Sequence, residues 1–332
     1  MHRPRPLTTT LLPLVAGLLL AFPVRASAPA PGEHETASED AREEDTSPEP
    51  SAEVYRPITS GPFVTFTAPI TAPGRLVTQP ILYLATARGD YDVEGRYQPR
   101  ARGESLRTAA LSLFVEYGIV DRLAAGAQLV LQYNRRRSGP DLASFTGLGD
   151  TTFFGRGTIL EETAGGLLPE MTLLAQVKLP TARAVSAQTN LLDTDVLGTG
   201  STDLTVGLDL TKGVRPVLLH ADVLYTYALP ARIGGERVAY GPSLAWSLSG
   251  EWPFWRDRLG LMLEVSGRHQ GAPVRDGREE EDGLADEVLV GAGLELLFSA
   301  DVQLLVGYQR TLWGRNARAL DALVITLVPT VL

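Results

Sequence analysis

The sequence has 332 residues, no cysteine, four histidines and, among thirty basic residues, two lysines, Lys178 and Lys212. Without cysteine there are no disulfide staples, thiolate metal sites or cysteine nucleophiles, and no lipid-anchored cysteine can follow the N-terminal apolar stretch. Basic residues are outnumbered by thirty-nine acidic ones, giving a net charge of −9, which is the wrong balance for a nucleic-acid-binding face. No HxxE-type spacing, phosphate-cradling glycine loop or carboxylate dyad stands out, so neither cofactor nor metal is expected. Beyond the N-terminus no apolar run reaches the roughly 20 residues of a membrane-crossing helix.

What is present begins with an export signal. His2, Arg3 and Arg5 precede an apolar stretch from Leu11 to Phe22, and small residues follow. Cleavage fits after Ala26 or after Ala28, and Pro29 as a new N-terminus favours Ala26. This gives a signal peptide over 1–26. The acidic residues of the next segment, from Glu33 to Glu53, face only Arg42. With almost nothing apolar to bury, 27–58 reads as a disordered leader. The remainder, 59–332, reads as one domain.

From about residue 75 the hydrophobic pattern has period two. Leu123, Ala125, Ala127, Leu129, Leu131 and Tyr133 alternate with Gly126, Gln128, Gln132 and Asn134. Leu204, Val206, Leu208 and Leu210 alternate with Thr205, Gly207 and Asp209. Side chains two apart share a face of a strand, so these segments are strands. They reach ten residues or more, against about 5–6 in soluble domains and the 9–11 that a tilted strand needs to cross a bilayer. Twelve are expected, near 75–87, 108–119, 122–134, 149–160, 170–180, 201–212, 214–229, 238–250, 257–270, 286–298, 301–312 and 320–332. Short links alternate with longer ones such as 88–107, 135–148, 181–200 and 313–319, as in barrels with short periplasmic turns and long outer loops. Tyr117, Tyr133, Tyr225, Tyr227, Phe298, Tyr308 and Trp313 sit near strand ends, where interfacial girdles lie. The expected fold is an all-β, transmembrane, antiparallel up-and-down barrel in the outer membrane of a Gram-negative bacterium, in contact with membrane lipid and lipopolysaccharide and assembled by the barrel-assembly machinery. A soluble β-sandwich would instead turn the apolar rows inward.

Several short motifs add a resemblance. Tyr117-Gly118-Ile119-Val120-Asp121-Arg122-Leu123 is followed by Gly147-Leu148-Gly149-Asp150-Thr151-Thr152, Lys178-Leu179-Pro180-Thr181, Thr199-Gly200-Ser201-Thr202-Asp203 and Leu263-Glu264-Val265-Ser266-Gly267. This order resembles the bacterial outer-membrane barrel family named for the meta-pathway of phenol degradation. The resemblance covers most of 75–332 and implies a barrel transporter of small molecules, hydrophobic or aromatic ones included. Ala182 stands where the family usually has glycine. Pro329, which cannot donate to a ladder, lies in the last strand and bears on the closing register.

If the apolar parity meets lipid, the opposite parity faces the lumen. It offers Glu116, Arg156, Lys178, Asp209, His220, Asp222, Glu264, Arg268 and Glu295, together with Asp150. These residues either line a polar path and set its selectivity or pair with one another and block a narrow bore. Asp150 and Arg156 share a face but lie about 20 Å apart along the strand, too far to pair. Gly149-Asp150-Thr151 and Gly198-Thr199-Gly200 read as turns, and the acidic run 278–282 as a solvated outer loop or a collector of divalent cations. The alternatives to a channel are a non-conducting barrel whose outer loops bind a ligand and, less favoured, a lipid hydrolase. The hydrolase would need a serine beside the outward-facing His269, and no serine motif accompanies it.

Overall fold

Alternation in the sequence becomes alternation across a wall. The computed structural model describes residues 53–255, 258–299 and 301–331. The export signal and nearly all of the acidic leader lie outside the described residues. Twelve antiparallel strands close into a barrel. They are β1 (Leu76–Tyr91), β2 (Ser105–Val120), β3 (Leu123–Ser138), β4 (Asp141–Leu148 continued by Thr151–Leu160) and β5 (Glu170–Leu179). Next come β6 (Asp203–Val214), β7 (Val217–Ala228), β8 (Ser243–Phe254) and β9 (Leu259–Gln270), then β10 (Ala285–Ser299), β11 (Val302–Arg315) and β12 (Ala317–Val331). Each strand pairs with its sequence neighbours.

β12 closes on β1, from Leu76↔Val331 to Tyr91↔Ala317. Pairing at this seam passes from Val77↔Thr330 to Ile81↔Thr326 across Pro80 and Pro329, two residues without an amide to donate. Closure leaves no free edge, which a sheet in hydrocarbon requires because water is not there to satisfy it.

The two faces of each strand differ as the alternation demands. On β3, Leu129, Leu131 and Tyr133 are exposed, while Gln128, Val130, Gln132 and Asn134 between them are buried. The polar parity therefore lies inside, and the inverted arrangement of a soluble sandwich is excluded. From Leu123 to Tyr133 the run measures about 33 Å along the strand and, at the ~40° tilt usual in such barrels, about 25 Å across a bilayer. No helix among the described residues is long and apolar enough to cross a membrane.

Three expectations about connections need correction. Residues 135–148 are not a loop, because β3 continues to Ser138 and β4 starts at Asp141. Above the apolar belt a strand is free to carry charge on its outer face, and Arg135 and Arg137 do so. Nor is 313–319 a loop, since only Asn316 separates β11 from β12. The eighth strand starts at Ser243 rather than near 238, because Glu236–Ala239 instead joins Ala231–Ile233, Val274–Arg275 and Arg278–Glu279 in a small sheet beyond the barrel.

The largest departure concerns 59–75, expected as barrel. No strand of the wall starts before Leu76. Pro57, Pro62, Pro69 and Pro73 deny this stretch a continuous set of donors. It runs inside the lumen instead, where Thr59, Ser60, Phe63, Thr65, Phe66, Thr67, Ala68 and Thr71 are nearly inaccessible.

Candidate functional site: the lumen and its strap

A backbone that leaves the ladder but is buried must find other acceptors for its amides. Inside this barrel, carboxylates on the wall supply them. At the short-turn rim Tyr55 donates its hydroxyl hydrogen to the carbonyl of Pro216 at 3.2 Å, and Arg56 bridges Glu162 at 3.0 Å and Glu170. From there the strap follows the wall. Ser60 donates its amide (2.9 Å) and hydroxyl (2.7 Å) to Glu295 on β10. Val64 and Thr65 donate their amides to Glu264 on β9 at 3.0 and 2.6 Å, and the Thr65 hydroxyl joins them at 2.6 Å.

Phe66 donates its amide to Asp222 on β7 at 2.7 Å, and Ala68 its amide to Thr211 Oγ1 on β6 at 2.8 Å. Thr71 ends the series with amide and hydroxyl on Glu116 of β2, at 2.8 and 2.7 Å. Charge-assisted bonds of this kind are stronger than neutral ones. They account for the acidic lining: most of these carboxylates face backbone amides rather than bulk water.

Arg156 on β4 complements them. Its side chain is wholly inaccessible and meets Glu116 at 3.1 Å and Asp209 at 3.2 Å, while donating to the strap carbonyls of Thr67 and, at 3.4 Å, Pro69. A Thr172 hydroxyl on β5 donates to the carbonyl of Ala68 at 2.6 Å. His220 on β7 sits behind Thr211, with Nδ1 2.9 Å from the threonine hydroxyl and Nε2 3.1 Å from Glu251.

Apolar side chains also face the lumen, most of them on β11 through β3, interspersed with buried polar ones such as Gln79, Gln128 and Gln303. Ile81, Tyr83, Ala85, Ala110, Val130, Leu305, Ala322 and Val324 form one cluster with Met262 of β9 and with Phe63 of the strap. Phe63 lies against glycines: a Cβ at Gly293 would come within 2.8 Å of its ring. Phe66 packs with Phe114, Phe154, Leu174 and Leu224, and the Arg156 guanidinium lies 5.9 Å from its ring centre.

The remaining sequence-selected residues lie toward the long-loop end. Lys178 meets Asp203 at 2.5 Å and Asp150 at 3.5 Å, and Asp150 also accepts the Ala182 amide at 3.0 Å. This anchors the connection between β5 and β6, which folds inward. Asn134 Nδ2 of β3 donates to the carbonyl of Thr194 in that connection at 3.1 Å, and Leu197 is buried. Arg268 is half-buried, donates to Gln270 and faces Glu287 in register.

On the outer side, His269 pairs with Asp286 at 2.6 Å, and Arg315 meets the same carboxylate at 2.5 Å. Glu280 of the acidic run is taken by Arg275. Among the described residues no three metal-ligating side chains come together.

Sequence reasoning thus named the wall residues but missed what they hold. It also missed Glu251, just past the expected end of its strand. One signal was present: no charged residue occurs from Pro57 to Gly74, although two phenylalanines do. An uncharged aromatic segment too proline-rich for a strand needs a buried place.

The fold resembles that of a solved outer-membrane barrel. A crystallised outer membrane channel from Pseudomonas putida F1 superposes with a TM-score of 0.63 at 18% identity, over 82% of this chain and 98% of that one. Weaker likenesses are the NanC porin (TM-score 0.42, 9% identity, 77% and 100% covered) and the CymD monoaromatic hydrocarbon channel (0.38, 9%, 78% and 89%). No family model and no curated protein matches the chain. The family suggested by its short motifs is therefore not established by these comparisons.

Proposed function

We propose that this protein is a gated outer-membrane channel for small molecules, closed by its own N-terminal strap in the conformation described. The carrying observation is that a closed barrel with an apolar outer belt contains a separate segment, 59–72, held by side-chain contacts rather than by ladder pairing. Such a segment can leave without breaking the wall. The short turns face the periplasm and the long loops the exterior, following export with the signal peptide removed. Small solutes with an apolar or aromatic part fit the arc that contains Ile81, Tyr83, Val130, Leu305 and Val324. That substrate class agrees with the family resemblance. The polar residues of the lumen set selectivity once the strap withdraws.

Planar-bilayer conductance tests this reading. The full-length protein is expected to give small, infrequent openings, and a Phe63→Ala, Phe66→Ala chain larger and longer ones, because the strap loses its two largest anchors. The filled lumen also favours a second reading, a barrel that never conducts and works through its outer loops. Silence from both folded proteins would select it.

A further inference from the structure

Three arginines crowd the outer face of β2 and β3 just beyond the apolar belt. Arg107 and Arg135 are register partners, and Arg137 lies one outward step further, opposite Ser105. All three are exposed. Side chains directly opposite in an antiparallel pair stand about 5 Å apart at Cβ, where like charges repel. Among the described residues none of the three has an ion pair or side-chain hydrogen bond. The neighbouring outward arginines differ: Arg88 of β1 and Arg310 of β11 share Asp321 of β12, at 3.4 and 3.3 Å. The uncompensated charge is thus concentrated on β2 and β3.

Directly below, the register partners turn apolar. Ala109 faces Tyr133, then Leu111 faces Leu131, which in turn faces Leu148 of β4, and then Leu113 faces Leu129. Tyr133 and these five leucines are exposed. A free anion would use only the arginines, and a neutral lipid only the leucines. An amphiphile with a phosphate head and several acyl chains uses both. Arginine pairs with phosphate through two parallel hydrogen bonds, and an anion between Arg107 and Arg135 removes their repulsion.

We propose that this face binds a phosphorylated glycolipid of the outer leaflet, its phosphate held by Arg107, Arg135 and Arg137 and its acyl chains lying on the leucine rows below. The site needs the long-loop end to face outward, but it does not depend on whether the lumen conducts.

The test follows the unfolding temperature of the full-length protein, refolded in lipid-free detergent and titrated with diphosphorylated lipid A, dephosphorylated lipid A or inorganic phosphate. The first is expected to stabilise the protein and the other two to have little effect. An Arg107→Gln, Arg135→Gln chain should bind diphosphorylated lipid A about tenfold more weakly, as loss of charge-assisted hydrogen bonds implies. Without lipid it should unfold no earlier than the parent, since a repulsion has been removed. Arg122→Gln, at the opposite rim where Arg122 meets Glu161 at 2.8 Å, should leave lipid binding unchanged. Equal stabilisation of the parent protein by dephosphorylated lipid A or by inorganic phosphate would overturn the proposal, as would undiminished binding by the double variant.

Discussion

Two parts of the strap are held differently: its backbone by hydrogen bonds that run from Glu295 on β10 to Glu116 on β2, and its two phenylalanines by packing. Glu295, Glu264, Asp222 and Glu116 take its amides, and Arg156 its carbonyls. Phe63 packs in a cluster with Leu305, Ile81 and Val324, and Phe66 in one with Phe114, Phe154, Leu174 and Leu224. The two kinds of attachment fail differently. Hydrogen bonds to a buried carboxylate are lost one donor at a time, and each donor left alone costs about 1–3 kcal/mol. A packed phenylalanine is lost as a unit. The hydrogen bonds therefore fix where the strap sits, while the cluster around Phe63 is the surface that a solute would occupy, in the proposed channel, once Phe63 leaves.

The largest effect is expected at Arg156. Arg156→Met would leave Glu116 and Asp209 buried together without their cation, and breaking such a buried pair costs about 3–5 kcal/mol. Both carboxylates belong to the wall, so the whole barrel should unfold earlier in a detergent melt. Restoring neutrality with Glu116→Gln and Asp209→Asn in the same chain should recover part of the loss. Unchanged melting of Arg156→Met would mean that the network is not what joins strap to wall.

A smaller effect, confined to the strap, is expected at Glu264. Glu264→Ala strips the acceptor from two amides and a hydroxyl, at about 1–3 kcal/mol for each donor that finds no other partner, loosening the strap while leaving the ladder intact. Glu264→Gln, which keeps one acceptor oxygen, should fall between. Protease added to the folded protein should cut the 59–72 region faster in the order wild type, Gln, Ala, with the barrel melt little changed. Parallel shifts of melting and cleavage would erase the distinction between strap and wall.

Legibility in the sequence followed the same division. The wall could be read because lipid on one side and a polar interior on the other impose period two on every strand, as Leu123 to Tyr133 demonstrates. Parity alone then sorted Glu116, Arg156, Asp209, Asp222, Glu264 and Glu295 to the inside. The partners of these residues could not be read that way, because each lies on another strand or on the strap, and the strap obeys no period. Read as part of the barrel, it carries four prolines that break any pattern, and its acceptors stand up to 235 residues away, as Glu295 does from Ser60. Strand ends were misjudged wherever the chain rises above the belt, as at Arg135 and Arg137, because hydropathy marks where lipid stops rather than where pairing stops.

The smallest effect separates the lumen from the loops. Asp92, just past β1, accepts the amides of Arg96 at 2.8 Å and Glu94 at 3.1 Å, the same bond type that Glu264 makes to Val64 and Thr65. It is solvated, and the Arg96 amide holds its carboxyl down at about 2, with Gln98 and the Arg96 side chain assisting. A carboxyl depressed in the folded state favours its turn above the ordinary value of 3.8 and loses that contribution as the pH falls through about 2. Amide exchange at Arg96 should therefore stay equally protected, after correction for intrinsic rate, from pH 8 to pH 5 and weaken only toward pH 2. Asp92→Ala should remove that protection at every pH while leaving both the barrel melt and strap cleavage untouched. If instead the strap responded to Asp92→Ala, the loop and the lumen would be coupled, and carboxylate–amide bonds outside the barrel would help to set the gate within it.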